Sequence, residues 1–143
     1  MKKRRRKPNL SDPSSRTWRD KCDRLWAKLI RSTGKCAIDN EDCKGPLNAH
    51  HLISREIKVL RHNLANGVCL CASHHKYNRR LSAHRGVPGF ARWMTNNRPE
   101  TWLWAQEVIA TAKEIKKPDY ESRYKFLTEI EELRDEDNHI TQD

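Results

Sequence analysis

Four of the five cysteines and five of the seven histidines lie between residues 36 and 75. An odd number of cysteines, mixed with histidines, favours metal ligation in a reducing compartment over a framework of disulfides. The chain has 143 residues, of which 36% are hydrophobic and 34% are charged, so its core is modest. A metal crosslink is one of the devices that stabilise a domain of this kind. This stretch therefore constrains the fold more than any other part of the sequence.

The net charge of +10 is unevenly distributed along the chain. Residues 1–35 contain 13 Lys and Arg against 3 Asp and Glu, residues 36–98 contain 10 against 4, and residues 99–143 contain 6 against 12. This distribution indicates a polyanionic partner for the first two thirds, although the basic run at residues 2–7 would on its own also suit a solvated tail. No segment approaches the roughly 20 apolar residues of a membrane span, and no apolar region of a secretory signal follows the basic N-terminus.

The spacing of hydrophobic residues predicts an α+β protein. A helix is expected to begin at Ser14 or Ser15 and to end at Gly34, with one buried face that includes Cys22 as a packing residue. Asn66-Gly67 predicts a turn. Two short strands are predicted near residues 47–52 and 68–70, and helices over 72–80, around 90–94, after Pro99, and over 119–135. We expect a flexible basic arm at 1–13, a domain at 14–98 and a helical extension with an acidic tail at 99–143.

Four residues have the spacing and chemistry of a structural zinc site. Cys36, Cys43, Cys71 and His74 would complete a tetrahedral Cys₃His set, and thiolates suit Zn²⁺ better than Mg²⁺. Asp39 is an alternative to Cys43 as the second ligand. Two further alternatives are that Cys69 competes as a ligand, and that all these thiols are simply buried core residues.

The order His50-His51, Asn66 and Cys71-Ala72-Ser73-His74-His75 resembles the motif of HNH endonucleases. Ser82-Ala83-His84 and Phe90-Ala91-Arg92-Trp93-Met94 resemble the corresponding parts of small phage-type members of this family. The resemblance covers about residues 18–98. It implies a ββα-metal core with a structural zinc knuckle, one helix before it and a helical C-terminal region after it.

The resemblance also implies metal-dependent hydrolysis of DNA phosphodiester bonds. His50 and His75 would hold a catalytic divalent cation, His51 would be the general base that activates water, and Asn66 would brace the loop between the strands. Because adjacent residues of a strand point to opposite faces, His50 and His51 would approach the phosphate from different sides. We expect Mg²⁺ or Mn²⁺ as the catalytic ion, with Ni²⁺ or Zn²⁺ as alternatives that imidazole ligands accept.

Other residues have accessory roles in this interpretation. His84 is a candidate for a third metal ligand, a phosphate contact or a structural hydrogen bond. Candidate contacts to the DNA phosphates are Arg55, Arg79 and Arg80. The expected partners are DNA and a replication, recombination or packaging protein, in the cytoplasm of a bacterial host infected by a phage or carrying a mobile element.

Three alternative functions are compatible with the same residues. One is a non-catalytic, zinc-stabilised DNA-binding module, and another is a nuclease subunit that requires a partner. The third is a pair of zinc fingers, the first made of Cys36, Cys43, His50 and His51. The second finger would contain Cys69, Cys71, His74 and His75.

Overall fold

The structure is a computed structural model that describes residues 6–141. Lys2 to Arg5 of the basic run and the last two residues lie outside the described part. The chain divides into two compact units, one made of the segments before residue 27 and after residue 115, and the other of residues 27–115. The helices are Arg16–Arg31 (α1), Val87–Asn97 (α2), Pro99–Thr111 (α3) and Tyr120–Ile140 (α4), and the strands are Leu47–His51 (β1) and Gly67–Cys71 (β2).

In the first unit, the start of α1 packs beside the start of α4. The Cys22 side chain is fully buried, and its thiol donates a hydrogen bond to the Tyr120 carbonyl over 3.1 Å. Burial raises the pKa of this thiol to about 12. The rings of Trp18 and Tyr124 lie 5.7 Å apart, with the Lys21 ammonium over both of them. Cys22 is therefore a packing residue, as its position on the apolar face predicts.

Helix α4 is longer than the sequence predicts. It begins after Asp119, whose carboxylate accepts a hydrogen bond from the Ser122 backbone N–H over 2.9 Å. That hydrogen bond holds the pKa of the Asp119 carboxyl below its ordinary value. The predicted end near residue 135 is wrong, because no Gly or Pro follows and the helix continues to Ile140.

The second unit is built around a two-stranded antiparallel sheet. Leu47 pairs with Cys71 at one end of the sheet, and His51 pairs with Gly67 at the other. One group of residues forms the core on this sheet and α2: Cys36, Val68, Leu70, Cys71, Phe90 and Met94. The chain is thus an α+β protein in which a short sheet is covered by helices.

The connection between the strands differs from the predicted turn at Asn66-Gly67. Gly67 has an extended backbone with a φ of −118° and is the first residue of β2. The chain instead turns in a 3₁₀ helix at Leu64–Asn66, where the Asn63 side chain accepts a hydrogen bond from the Ala65 N–H. Asn66 therefore does not form the predicted turn, and its side chain is available for contacts inside the loop.

The helix predicted over residues 72–80 is a single π-helical turn at Ser73–Tyr77. The Asn78 N–H donates to the Ser73 carbonyl over 2.9 Å, which closes the wide turn. The Asn78 side chain then accepts hydrogen bonds from the backbone N–H groups of Arg80 and Leu81. Because Asn78 offers the backbone these local bonds, the chain bends away there and no helix continues.

Pro99 begins α3 directly after α2, and Ala105 of α3 packs with Ile53 and Leu60 of the loop between the strands. This loop is thereby part of a second small core. Among the described helices, none is long and apolar enough to cross a membrane.

Candidate functional site

Three cysteines and one histidine converge at the end of the sheet. The sulfur atoms of Cys36, Cys43 and Cys71 lie 3.5, 3.6 and 3.3 Å from Nδ1 of His74. All four potential ligand atoms lie within 4.8 Å of one another. We refer to these residues as the Cys₃His cluster.

The geometry of the Cys₃His cluster fits a tetrahedral zinc ion. With Zn–S bonds of about 2.3 Å and Zn–N bonds of about 2.0 Å, sulfur and nitrogen ligands of one ion lie about 3.5 Å apart. Hydrogen bonding alone does not explain the arrangement, because Nδ1 of one imidazole accepts a single hydrogen and three thiols surround it. The cluster could therefore hold a structural metal such as zinc.

At two positions of the Cys₃His cluster, Cys71 and His74, the pKa is shifted in the direction that favours the metal-binding form of the side chain. Burial acts to raise the pKa of Cys71, but hydrogen bonds from the backbone N–H groups of His74 and Lys44 and from the side chains of Cys36 and Cys43 together outweigh it, and the pKa is lowered. Burial lowers the pKa of His74, which keeps its imidazole neutral. Burial raises the pKa of Cys43 to about 11, so Cys71 is the thiol that ionises more readily of the two.

Local backbone features bring the segment around Cys43 to the π-helical turn. Gly45 has a φ of +80°, and a side chain there would place Cβ 2.7 Å from Cβ of Ala72. The Lys44 carbonyl accepts a hydrogen bond from the Ser73 N–H over 3.0 Å. Gly45 is thus required both by its left-handed backbone and by close approach.

The two alternative ligands lie outside this cluster. Asp39 is exposed, and its carboxylate pairs with the Lys35 ammonium at 3.4 Å. Cys69 is buried, its backbone carbonyl accepts a hydrogen bond from Ala37, and burial raises the pKa of its thiol. The grouping of Cys36 and Cys43 with Cys71 and His74 also disagrees with the alternative of two separate fingers, which would need His50 and His51 instead.

A second group consists of His50, His75 and His84, which we refer to as the histidine cluster. Their ligand atoms also lie within 4.8 Å of one another. The ring centroids are 5.3 Å apart for His50 and His75, 5.0 Å for His50 and His84, and 4.7 Å for His75 and His84. The Phe90 ring meets the His50 ring edge-on at 5.7 Å, which closes one side of the cluster.

Two members of the histidine cluster, His50 and His75, are neutral near pH 7. Burial, together with the nearby His75 and His84, lowers the pKa of His50 to about 3. Burial and the neighbouring His84 and Lys76 lower the pKa of His75 to about 4. Neutral imidazoles keep a lone pair, so these two residues are in the form that binds a metal ion.

His51 lies beside His50 on β1 but makes a different contact. Its Nε2 lies 2.9 Å from the backbone carbonyl oxygen of Arg61. Because a carbonyl oxygen only accepts hydrogen bonds, Nε2 carries the proton, and the lone pair of the neutral ring is on Nδ1. The contact therefore fixes both the orientation and the tautomer of His51.

Asn66 is fully buried and binds the backbone of the loop between the strands. Its side-chain oxygen accepts a hydrogen bond from the Ile53 N–H at 2.6 Å, and its amide donates to the carbonyls of Ile53 and Leu60, both at 3.1 Å. Leu60 directly precedes Arg61, whose carbonyl holds His51. Asn66 thus stabilises the segment that orients His51.

The three arginines proposed to contact phosphates, Arg55, Arg79 and Arg80, are all exposed. Arg55 lies in the loop between the strands, and its carbonyl accepts a hydrogen bond from the Arg61 guanidinium over 3.3 Å. Arg79 and Arg80 follow the π-helical turn. The two segments that carry them, residues 53–66 and 76–85, contain seven Lys and Arg and a single acidic residue, Glu56.

Two contributions to the site are not readable from residue types and spacing. The partner of His51 is a backbone carbonyl, which has no sequence signature. The position of His84 depends on buried Ser82, whose hydroxyl accepts hydrogen bonds from the N–H groups of Arg85 and Gly86. The Ser-Ala-His segment of the sequence indicates His84 as a candidate but not which of its three roles it has.

Comparisons of this chain with models of protein families, with curated proteins and with solved structures gave no match.

Proposed function

We propose that this chain is a metal-dependent DNA endonuclease of the HNH type, with His51 as its general base. The observation that carries the proposal is the contrast between two neighbouring residues of β1. His50 belongs to the histidine cluster, whereas His51 has its Nε2 hydrogen-bonded to a backbone carbonyl. Metal-assisted phosphodiester hydrolysis needs a group of ligands for a divalent ion and, beside it, an oriented imidazole that can act as a base.

His51 would act through Nδ1, because Nε2 is protonated and held by the Arg61 carbonyl. Nδ1 takes a proton from a water molecule, and the water oxygen attacks the phosphorus in line. The bond from phosphorus to the 3′-oxygen breaks, which gives a 5′-phosphate and a 3′-hydroxyl after the leaving oxygen takes up a proton from solvent. A divalent ion held by His50 and His75 would supply Lewis-acid polarisation and offset negative charge on the phosphate.

The charge distribution supports DNA as the substrate. The loop that orients His51 and the segment after His75 together carry seven basic residues and one acidic residue. Phosphate contacts of this kind position a duplex without reading its sequence, so Arg55, Arg79 and Arg80 would contribute affinity rather than specificity.

The Cys₃His cluster would have a structural role in this enzyme. His74 belongs to that cluster and the adjacent His75 to the histidine cluster. A zinc ion bound by Cys36, Cys43, Cys71 and His74 would fix the π-helical turn and, with it, the position of His75. We therefore expect loss of this ion to abolish cleavage as well as to destabilise the fold.

Cleavage of supercoiled plasmid by the full chain tests the proposal. The protein is dialysed to keep only tightly bound metal and is then assayed with EDTA, Mg²⁺, Mn²⁺, Co²⁺ or Ni²⁺. We expect cleavage that depends on the added ion and that falls by about 10²–10⁴-fold in His51→Ala, the range for loss of a general base. His139→Ala, an exposed histidine of α4, is the matched control and should cut like the wild type.

Two results would count against the proposal. Cleavage by His51→Ala at the wild-type rate would show that His51 is not the base. Zinc retention and DNA binding without cleavage in any ion would favour the non-catalytic DNA-binding module instead.

A further inference from the structure

The second half of α4 extends beyond the core of the first unit. Leu127 is the last buried residue of this helix, and the thirteen residues that follow it, up to Ile140, continue the helix although none of them is buried. They span about 20 Å at 1.5 Å per residue. Isolated helices of this length are marginal in water, because most helical stability in proteins comes from the packing of an apolar face. This part of α4 would therefore gain stability if another element packed against it.

An apolar stripe runs along this part of the helix, which we refer to, from residue 126 to residue 140, as the outer half of α4. The residues of the stripe follow one another at intervals of four, three and seven positions, which places them on one face: Phe126, Ile130, Leu133 and Ile140. Phe126 and Leu133 are both 58% exposed, and Ile140 is 74% exposed. Single exposed apolar residues are common on protein surfaces, but a row with this spacing is typical of a helix that packs against a second helix.

The residues around the stripe are strongly acidic. Positions 129–137 contain six acidic residues and one basic residue. Glu129 and Glu136 border the stripe, Asp137 lies within it, and all three are exposed. An element that covers the stripe would lie close to these carboxylates, so it needs positive charge at the matching positions.

We propose that the outer half of α4 is a docking surface for a basic amphipathic helix of another protein. The partner helix would have apolar residues at the same three- and four-residue spacing, with Lys or Arg beside them and opposite Asp137. The apolar contacts would supply affinity, and the charges would select the partner and speed its association. This surface belongs to the first unit and the Cys₃His and histidine clusters belong to the second, so the proposal does not depend on nuclease activity.

The charge of the outer half distinguishes a basic helix from two other occupants. A second copy of α4 would bring two acidic segments together, and like charges on facing helices are destabilising. The surface of a membrane that contains anionic lipids is negative and would repel the same carboxylates. A basic helix is therefore the occupant that matches both the stripe and the charges around it.

Binding of a synthetic helix to the zinc-loaded full chain tests the proposal. The probe is a peptide with the sequence of residues 120–140 in which the six acidic residues of positions 129–137 are replaced by lysine. It keeps the apolar stripe and reverses the charge around it, and fluorescence anisotropy of the labelled peptide gives its Kd. In a second peptide the four apolar residues of the stripe are also replaced by serine. We expect this serine peptide to bind at least 10-fold more weakly than the lysine peptide.

Substitutions in the chain locate the binding surface. Leu133 and Ile140 are exposed and glutamine is a good helix former, so we expect a variant with both Leu133→Gln and Ile140→Gln to fold like the wild type. This double variant should bind the lysine peptide at least 10-fold more weakly, because a few apolar anchors dominate most interfaces. Leu103→Gln is the matched control, since Leu103 of α3 is a leucine with a similar exposure of 55% and should leave the Kd unchanged.

Other results would overturn the proposal. Failure of the lysine peptide to bind, or equal binding of the serine peptide, would show that the apolar stripe is not a docking surface for a basic helix. Dimers of the full chain in sedimentation equilibrium that the double variant does not form would assign the stripe to a second copy. Binding to phosphatidylcholine vesicles that the double variant loses would assign it to a membrane surface.

Discussion

Replacement of Asn66 by alanine tests the loop that orients His51. The Asn66 side chain is fully buried and makes three hydrogen bonds to backbone groups of Ile53 and Leu60. The Leu60 carbonyl keeps a second partner in Asn66→Ala, because the Asn63 N–H also donates to it at 3.1 Å. Both backbone groups of Ile53 lose the bonds that Asn66 makes.

The expected destabilisation follows from these two groups. A buried polar group that loses its partner costs about 1–3 kcal/mol, so we expect Asn66→Ala to lose about 3 kcal/mol of unfolding free energy. This is a large part of the 5–15 kcal/mol that is typical of a domain. For a chain of this length it corresponds to a fall in melting temperature of roughly 10 °C.

Urea unfolding of zinc-loaded protein measures the change in unfolding free energy. Hydrogen exchange at the Ile53 amide tests whether the stability is lost at this backbone group. Asn63→Ala is the matched control, because Asn63 is an exposed asparagine that caps the 3₁₀ turn and its loss should cost about 1 kcal/mol. We also expect Asn66→Ala to cut DNA more slowly at a temperature where it is folded. A loss of less than 1 kcal/mol, or unchanged exchange at Ile53, would refute the bracing role.

Three further predictions concern other parts of the fold. Cys71→Ala should lose tightly bound zinc, whereas Cys22→Ala should keep it, as measured by elemental analysis after dialysis. Full zinc retention in Cys71→Ala would contradict the Cys₃His assignment. Gly89→Ala would place Cβ 1.9 Å from the Arg80 carbonyl oxygen, so it should lower the free energy of unfolding by roughly 1–3 kcal/mol, measured by thermal unfolding. An unchanged melting temperature would be evidence against this close approach. The pKa of Cys22 is raised to about 12, so its protonated form stabilises the fold below pH 9 and this contribution is lost as the pH rises through 12. The wild type should therefore lose stability relative to Cys22→Ala across that interval, and a constant difference would contradict the buried neutral thiol.

Much of the fold is predictable from the sequence, because its signals are local. The apolar face of α1, the proline at the start of α3 and the two short strands follow from periodicity and from residues that begin or end helices. The ends of α4 and of the turn after β2 are less predictable. The Asn78 side chain ends that turn, and its hydrogen bonds to the following backbone have no distinct spacing in the sequence.

The candidate site, like the fold, has features that the sequence predicts and features that it does not. Ligand chemistry indicates the Cys₃His cluster, and the structure distinguishes Cys43 from Asp39 as its fourth member. The convergence of His84 with His50 and His75 is a tertiary contact between distant segments, and no local pattern reports it. The contact of the Arg61 carbonyl with His51 cannot be predicted from the sequence, because every residue has a backbone carbonyl. Catalysis by His51 and Asn66 remains a prediction.

Single-turnover cleavage of an end-labelled DNA duplex by wild type and His51→Ala tests most directly the central claim that His51 is the general base. The occupancy of the added ion is measured on the same samples. We predict that His51→Ala binds the ion as the wild type does but cuts at least 100-fold more slowly, within the range expected for a lost general base. Equal cleavage rates at equal occupancy would contradict it.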